Sequence, residues 1–261
     1  MGFGWKDEAI ENISQDQFDI TQYITGLSEF IKECETPMTI AIQGDWGSGK
    51  TSVMNMVKNN LGEEVISVWF NTWQFSQFTM GDDLPIVFLN YLSQALCKDG
   101  RWSVGEFLNL VTGLGKIAIK AVGEQSEKML GISVVNDVIS DKLEKNAVDI
   151  IQELKDTFQK TVNEISQADG GKRIVFYIDD LDRLQPLRAV ELLEVLKIFL
   201  DCEKCVFVLA IDYEVVSQGI KEKYKNNLDE RKSRKFFEKI IQVPFKMPVA
   251  HYNIDKYIGA A

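Results

Sequence analysis

The octet Gly44-Asp45-Trp46-Gly47-Ser48-Gly49-Lys50-Thr51 fits the pattern G-x-x-x-x-G-K-[ST]. Its glycines let the backbone curl until successive N–H groups point inward, and a helix opening at its end adds the positive end of its dipole. Such a cradle suits phosphate. Lys50 would bridge the β- and γ-phosphates of a nucleoside triphosphate, and Thr51 would offer its hydroxyl to magnesium. With Ser52, the residues from Gly44 onward form the expected nucleotide-binding set. The bland alternative, a chance octet in a glycine-rich turn, is opposed by the flanks: an apolar strand before it and a helix after it.

A second cluster follows the apolar run Ile174-Val175-Phe176-Tyr177-Ile178, where Asp179, Asp180, Asp182 and Arg183 come together. Crowded carboxylates repel one another unless a metal or a base compensates them, and a magnesium nucleotide would do so. Asp179, last on the strand, is the expected magnesium ligand. Asp180 is placed to orient or deprotonate the attacking water, and Asp182, two residues on, carries the same group and can substitute for it. The competing reading is a solvated acidic helix cap. Asp212 closes another apolar run and either faces the γ-phosphate water or simply caps a helix.

Two further segments call for weighing. Trp69-Phe70-Asn71-Thr72-Trp73-Gln74-Phe75 is dense in aromatics, which more often means packing than a ligand site, and Asn71 is its member best suited to reach the nucleotide. Arg231-Lys232-Ser233-Arg234-Lys235, leading to Lys239, is the densest basic run. It reads as a solvated helix face or as a cation offered to a neighbouring subunit's γ-phosphate, with Arg234 the choice because a guanidinium fork suits phosphate.

The elements that must carry these groups are legible from periodicity. Phe18, Ile20, Tyr23, Ile24, Leu27, Phe30 and Ile31 recur at helical spacing, and Pro37 closes that helix before a strand over Met38 to Gln43. A helix is predicted from within Gly49 to Thr51, then strands over Val65 to Phe70, Ile174 to Ile178, Cys205 to Ile211 and Ile240 to Phe245. Pro186 suits the first turn of another helix. Leu84 to Cys97 reads as a buried helix, and 101–170 as a helical insertion lying outside the sheet, with stripes at Phe107 to Val122 and Ile150 to Ile165. Strands separated by helices imply an α/β fold, a parallel sheet flanked by helices.

Composition narrows the partners. The 261-residue chain has a net charge of -10, which argues against a surface built for nucleic-acid phosphates or anionic lipid. No stretch supplies the about 18 apolar residues of a membrane span. Cys202-Glu203-Lys204-Cys205 lacks the second pair of a zinc site, and His251 is the only histidine, so buried small residues are expected there. No signal-peptide pattern opens the chain, and a cytoplasmic location is expected.

Together, the Gly44 to Thr51 octet (a Walker A motif), Trp69-Phe70-Asn71-Thr72-Trp73, Ile178-Asp179-Asp180-Leu181-Asp182-Arg183 (a Walker B motif) and Glu238-Lys239-Ile240-Ile241-Gln242-Val243-Pro244-Phe245 resemble the KAP family of P-loop NTPases. The resemblance implies a Mg2+-dependent ATPase with a sheet of the additional-strand catalytic glutamate type. There the strand ending at Asp212 lies between the phosphate-loop strand and the Asp179 strand. Members often insert paired transmembrane helices between the two nucleotide motifs, and some bacterial ones are linked to phage exclusion. Here Lys116, Lys120, Glu124, Glu127 and Lys128 interrupt the insertion, so membrane anchoring is not expected. Residues 1–261 are read as one P-loop NTPase domain whose C-terminal region is truncated. The expected function is ATP hydrolysis as a conformational switch or assembly module, with ATP and either a second copy or an effector protein as partners. The alternative is a nucleotide-binding scaffold with negligible turnover. A GTPase is disfavoured because no Asn-Lys-x-Asp tetrad occurs.

Overall fold

A computed structural model describes residues 9–76, 88, 91, 92, 95, 147–223 and 230–252. Its strands are β1 (Met38–Gln43), β2 (Ile66–Asn71), β3 (Ile174–Asp179), β4 (Cys205–Ile211) and β5 (Val243–Lys246). They form one five-stranded sheet in the order β2-β3-β4-β1-β5, and every pairing is parallel. β4 therefore lies between β1 and β3, the order that the resemblance implied.

The helices are α1 (Thr21–Glu33), α2 (Lys50–Leu61), α3 (Thr72–Ser76), α4 (Ala147–Ala168), α5 (Pro186–Leu196), α6 (Tyr213–Lys223) and α7 (Glu230–Glu238). β3 and β4 are buried at every position, which is why they read as unbroken apolar runs rather than alternating ones. Successive side chains of a strand point to opposite faces. Ile174, Phe176 and Ile178 thus join one core with Leu154 and Phe158 of α4, Leu193 of α5 and Ile220 of α6. Val175 and Tyr177 join the other, with Ile24 and Ile31 of α1 and Val53 and Val57 of α2.

Three expectations need adjusting. The insertion 101–170 is expected to be helical and outside the sheet; its described last part, α4, is helical and adds no strand, but its Leu154, Phe158 and Val162 pack into the core against the sheet rather than standing apart from it. A stripe of large apolar residues at helical spacing finds its lowest free energy on the apolar sheet face, not in solvent. The stretch 101–146 lies outside the described residues. The strand expected from Ile240 begins at Val243 instead. The N–H groups of Ile240 and Ile241 still bond back to Phe237 O, so their burial belongs to the end of α7. Sheet pairing is taken up at Gln242, whose N–H donates to Thr39 O at 3.1 Å. β5 is an edge strand, where Pro244 is tolerated. Finally, α1 opens at Thr21 rather than Phe18. The buried Asp16 carboxylate accepts the N–H groups of Phe18 and Ile20 and the Thr21 hydroxyl, holding the approach to the helix in a bent, non-helical path. Of the predicted helix Leu84 to Cys97, Phe88, Tyr91, Leu92 and Ala95 are described and helical, with Phe88 and Leu92 buried.

Candidate functional site

Parallel strands bring all their carboxyl ends to one rim, and the register is level there: Gln43 pairs with Ile211, and Asn71 with Asp179. The chemistry read from the sequence converges on that rim, as expected for an open α/β sheet. The loop leaving β1 needs left-handed backbone at Gly47 (φ 79°) and Gly49 (φ 89°), conformations that cost a side chain about 1–2 kcal/mol each. Gly49 caps α2, so the helix begins at Lys50 with its first N–H groups at the loop. Gly44 is required for another reason. A Cβ there would stand 2.5 Å from Ser48 Oγ and 2.8 Å from Met247 Cγ. Asp45, Trp46 and Gly47 form the exposed tip, with Trp46 79% exposed, whereas Ser48, Gly49, Thr51 and Ser52 are half-buried and Lys50 is buried.

Two segments remote in sequence brace the loop. Tyr252 donates its hydroxyl to Ser48 O at 2.8 Å and stacks on Phe18 with centroids 4.6 Å apart. Ser52 Oγ accepts the N–H of Ile10 at 3.2 Å.

Lys50 Nζ donates to Gly44 O at 2.8 Å and to Asp45 O at 2.9 Å, and pairs with Asp182 Oδ2 at 2.7 Å. The Lys50–Asp182 contact joins the two motifs through charge. A second link is Thr51, whose hydroxyl donates to Asp179 Oδ1 at 3.1 Å; the same oxygen accepts the Asp180 N–H at 2.9 Å. Asp179 Oδ2 is buried and has no hydrogen-bond partner among the described residues. Burial, and then the neighbouring charge of Asp180, push the Asp179 carboxyl up to about 6 from 3.8. An oriented carboxylate oxygen without a donor, beside a threonine hydroxyl, is the donor set a hard divalent cation takes. The residues present therefore fit magnesium.

Asp180 sits in left-handed backbone (φ 60°, ψ 26°), which turns its side chain away from Lys50. Its Oδ2 accepts Asn71 Nδ2 at 2.7 Å, and its Oδ1 meets Arg183 Nε at 2.6 Å. The Arg183 guanidinium in turn lies over the Trp73 ring, 5.4 Å from its centroid. The aromatic segment thus splits by residue type. Trp69 stacks on Tyr177 and Phe70 packs against Phe88, whereas Asn71 and Thr72 serve the acidic turn, Thr72 by donating to Asp179 O at 2.8 Å. Asn71 was read as reaching toward nucleotide; here it reaches a carboxylate. Its place as the last residue of β2 was the available signal, but only the β2–β3 register reveals its partner.

Asp212 stands at the end of β4, between β1 and β3, and its carboxylate accepts the Glu214 N–H at 2.8 Å, the capping alternative. Arg234 is exposed on α7. Cys202 and Cys205 are buried, and burial raises both thiols, Cys202 to about 12, so neither is a ready thiolate. Among the described residues no helix is long and apolar enough to cross a membrane.

The phage T7 exclusion protein of Escherichia coli (strain K12) is 22% identical over 270 residues, a match covering 93% of this chain and 34% of that protein. The chain thus spans about a third of the length of this curated relative. Among solved structures, the Aeropyrum pernix ORC1 protein, described in complex with DNA, matches with 15% identity and a TM-score of 0.41, over 88% of this chain and 45% of that one. The model of the KAP family P-loop domain matches residues 20–255, and the chain belongs to that family.

Proposed function

We propose that the chain binds and hydrolyses ATP, and that the hydrolysis drives a conformational switch or an assembly step, as part of a bacterial phage-exclusion or defence response. The observation that carries the reading is the joining of Lys50 and Thr51 in the loop to Asp182 and Asp179 beyond β3. It brings phosphate-binding and acidic groups to one rim. Backbone N–H groups of the loop and of the α2 N-terminus would bind the phosphates, and Lys50 would hold the β- and γ-oxygens. Thr51 and Asp179 would hold magnesium, which when bound neutralises charge on the β- and γ-phosphates. Asp180 and Asp182, beside these groups, are the foremost candidates to take a proton from water, and Asp212 beyond β4 is a further one. The phage link comes from the relative, which shares only part of its length with this chain. The charge of -10 supports a protein partner or a second copy over nucleic acid, and a cytoplasmic setting suits an ATP-driven switch.

The test is steady-state phosphate release with Mg-ATP, beside nucleotide affinity, for the intact chain and for Lys50→Ala. Wild type should turn over ATP in preference to GTP. Lys50→Ala should weaken ATP binding by roughly two orders of magnitude, since truncating one partner of a buried charge-assisted contact costs about 2–5 kcal/mol. Wild-type affinity in Lys50→Ala would sink the reading, and tight binding with no phosphate release in the wild type would replace it with the scaffold.

A further inference from the structure

An ammonium group has three donors and no acceptor. Two donors of Lys50 go to Gly44 O and Asp45 O, and its ammonium also forms an ion pair with Asp182 Oδ2 at 2.7 Å. A phosphate oxygen arriving at Lys50 therefore competes with these three oxygens for the same ammonium. Two of the acceptors are neutral carbonyls of the loop itself. The third is a carboxylate, and a polyphosphate arriving at the same buried cation repels it directly. Lys50 and Asp182 are only 6% and 5% exposed, so water screens neither their attraction nor that repulsion. The carboxylate would be released beside the cation that holds the γ-phosphate, within reach of a water lined up on that phosphate.

Asp180 is held differently. Its two oxygens are taken by Asn71 and Arg183, neither of which belongs to the phosphate loop. Asn71 ends β2, at the far edge of the sheet and separated from β1 by β3 and β4. Arrival of phosphate on Lys50 removes no partner from Asp180.

We propose that Asp182 is an internal stand-in for nucleotide phosphate on Lys50, that the bound triphosphate expels it, and that the expelled carboxylate, rather than Asp180, is the base for the attacking water. The inference rests on the ATPase reading above. In the step it serves, the water oxygen forms a bond to the γ-phosphorus while the bond from that phosphorus to the β–γ bridging oxygen breaks. The bridging electron pair leaves with ADP, and the proton of the water passes to Asp182. Asp180 is then a positioning residue: it ties Asn71 and Arg183 together and fixes the turn that aims Asp182 at the loop. Hydrolysis is gated by this exchange, because the base is occupied until the substrate's own phosphate takes its cation.

Asp182→Asn, Asp180→Asn and wild type are compared for affinity to a non-hydrolysable ATP analogue and to inorganic tripolyphosphate, and for phosphate release from ATP. Asp182→Asn loses the competing anion, so it should bind both probes about tenfold tighter or more, while its turnover falls by the roughly 10²- to 10⁴-fold of a lost general base. A merely structural role would not tighten binding. Asp180→Asn should lose less turnover and gain no such affinity. Unchanged or weaker binding in Asp182→Asn, or turnover lost in Asp180→Asn and kept in Asp182→Asn, overturns the proposal. Wild type that binds neither nucleotide nor tripolyphosphate defeats the ATPase reading itself, a separate outcome. Should Asp182→Asn fail to fold, a crystal structure of wild type with the analogue decides. The Lys50–Asp182 contact should be broken there, and its persistence with phosphate on Lys50 would refute the exchange.

Discussion

At Asp179 burial and like charge act together, and the consequence is measurable without nucleotide. The carboxyl is 1% exposed and raised to about 6, so between about pH 4 and 6 the native protein holds a proton that the unfolded chain has lost. Stability therefore falls as pH rises through that window and is flat above it, a difference of about 3 kcal/mol at full effect. In Asp179→Asn the amide oxygen keeps the Thr51 and Asp180 donors, while the buried amide nitrogen gives back part of the gain. In magnesium-free buffer at pH 8 the variant should be more stable than wild type by about 1–2 kcal/mol. That advantage should vanish as pH falls toward 4, and the magnesium dependence of ATP binding should be lost. Urea unfolding with a chelator between pH 4 and 8 measures the first effect; parallel curves for the two proteins would refute the assignment.

Among the elements, the pairing of α5 and α6 shows packing overruling propensity. A glycine in mid-helix, such as Gly219, is ordinarily worth replacing, since alanine gains roughly 1 kcal/mol of helix propensity. Here a Cβ would lie 2.0 Å from Pro186 O and 2.8 Å from Val190 Cγ2. The first contact is backbone at the start of α5, which cannot swing aside as a side chain can. Gly219→Ala should therefore destabilise the protein by about 1–3 kcal/mol, the usual cost of overpacking, and chemical denaturation should show it. A stabilised variant would mean that the two helices separate freely. The same competition explains α4. Its apolar stripe was plain in the sequence, but a stripe gives no address, and only the sheet face bearing Phe176 gives Phe158 a partner, with ring centroids 5.8 Å apart.

For the whole molecule, the question is whether one chain makes a complete site. The described cations at the glycine loop and the acidic turn are Lys50 and Arg183, and Arg183 is engaged by Asp180 and by the face of Trp73. Arg234 is exposed on α7, and in a trans arrangement it would meet the γ-phosphate held by a second copy. Turnover per chain should then rise with protein concentration as chains associate, and Arg234→Ala should abolish that rise while leaving ATP binding intact. Constant turnover per chain, measured by dilution through a demonstrated monomer, would exclude the finger.

The sequence alone determined the phosphate loop, the acidic strand end and the α/β character. These depend on short-range chemistry: glycine at left-handed positions, a cation and hydroxyl at the start of a helix, and apolar runs too continuous to face water. It also placed Asp179 at the carboxyl end of the buried strand, because the last residue of a buried parallel strand has one place to go. Tertiary structure alone decided the partners of the remaining acids. Asp180 and Asp182 are the same residue type two positions apart, and nothing local distinguishes them. The left-handed turn at Asp180 and the β2–β3 register send Asp180 to Asn71 and leave Asp182 to Lys50. Those contacts span 109 and 132 residues of chain, distances over which periodicity and spacing carry no information, and only packing of the sheet brings the groups together.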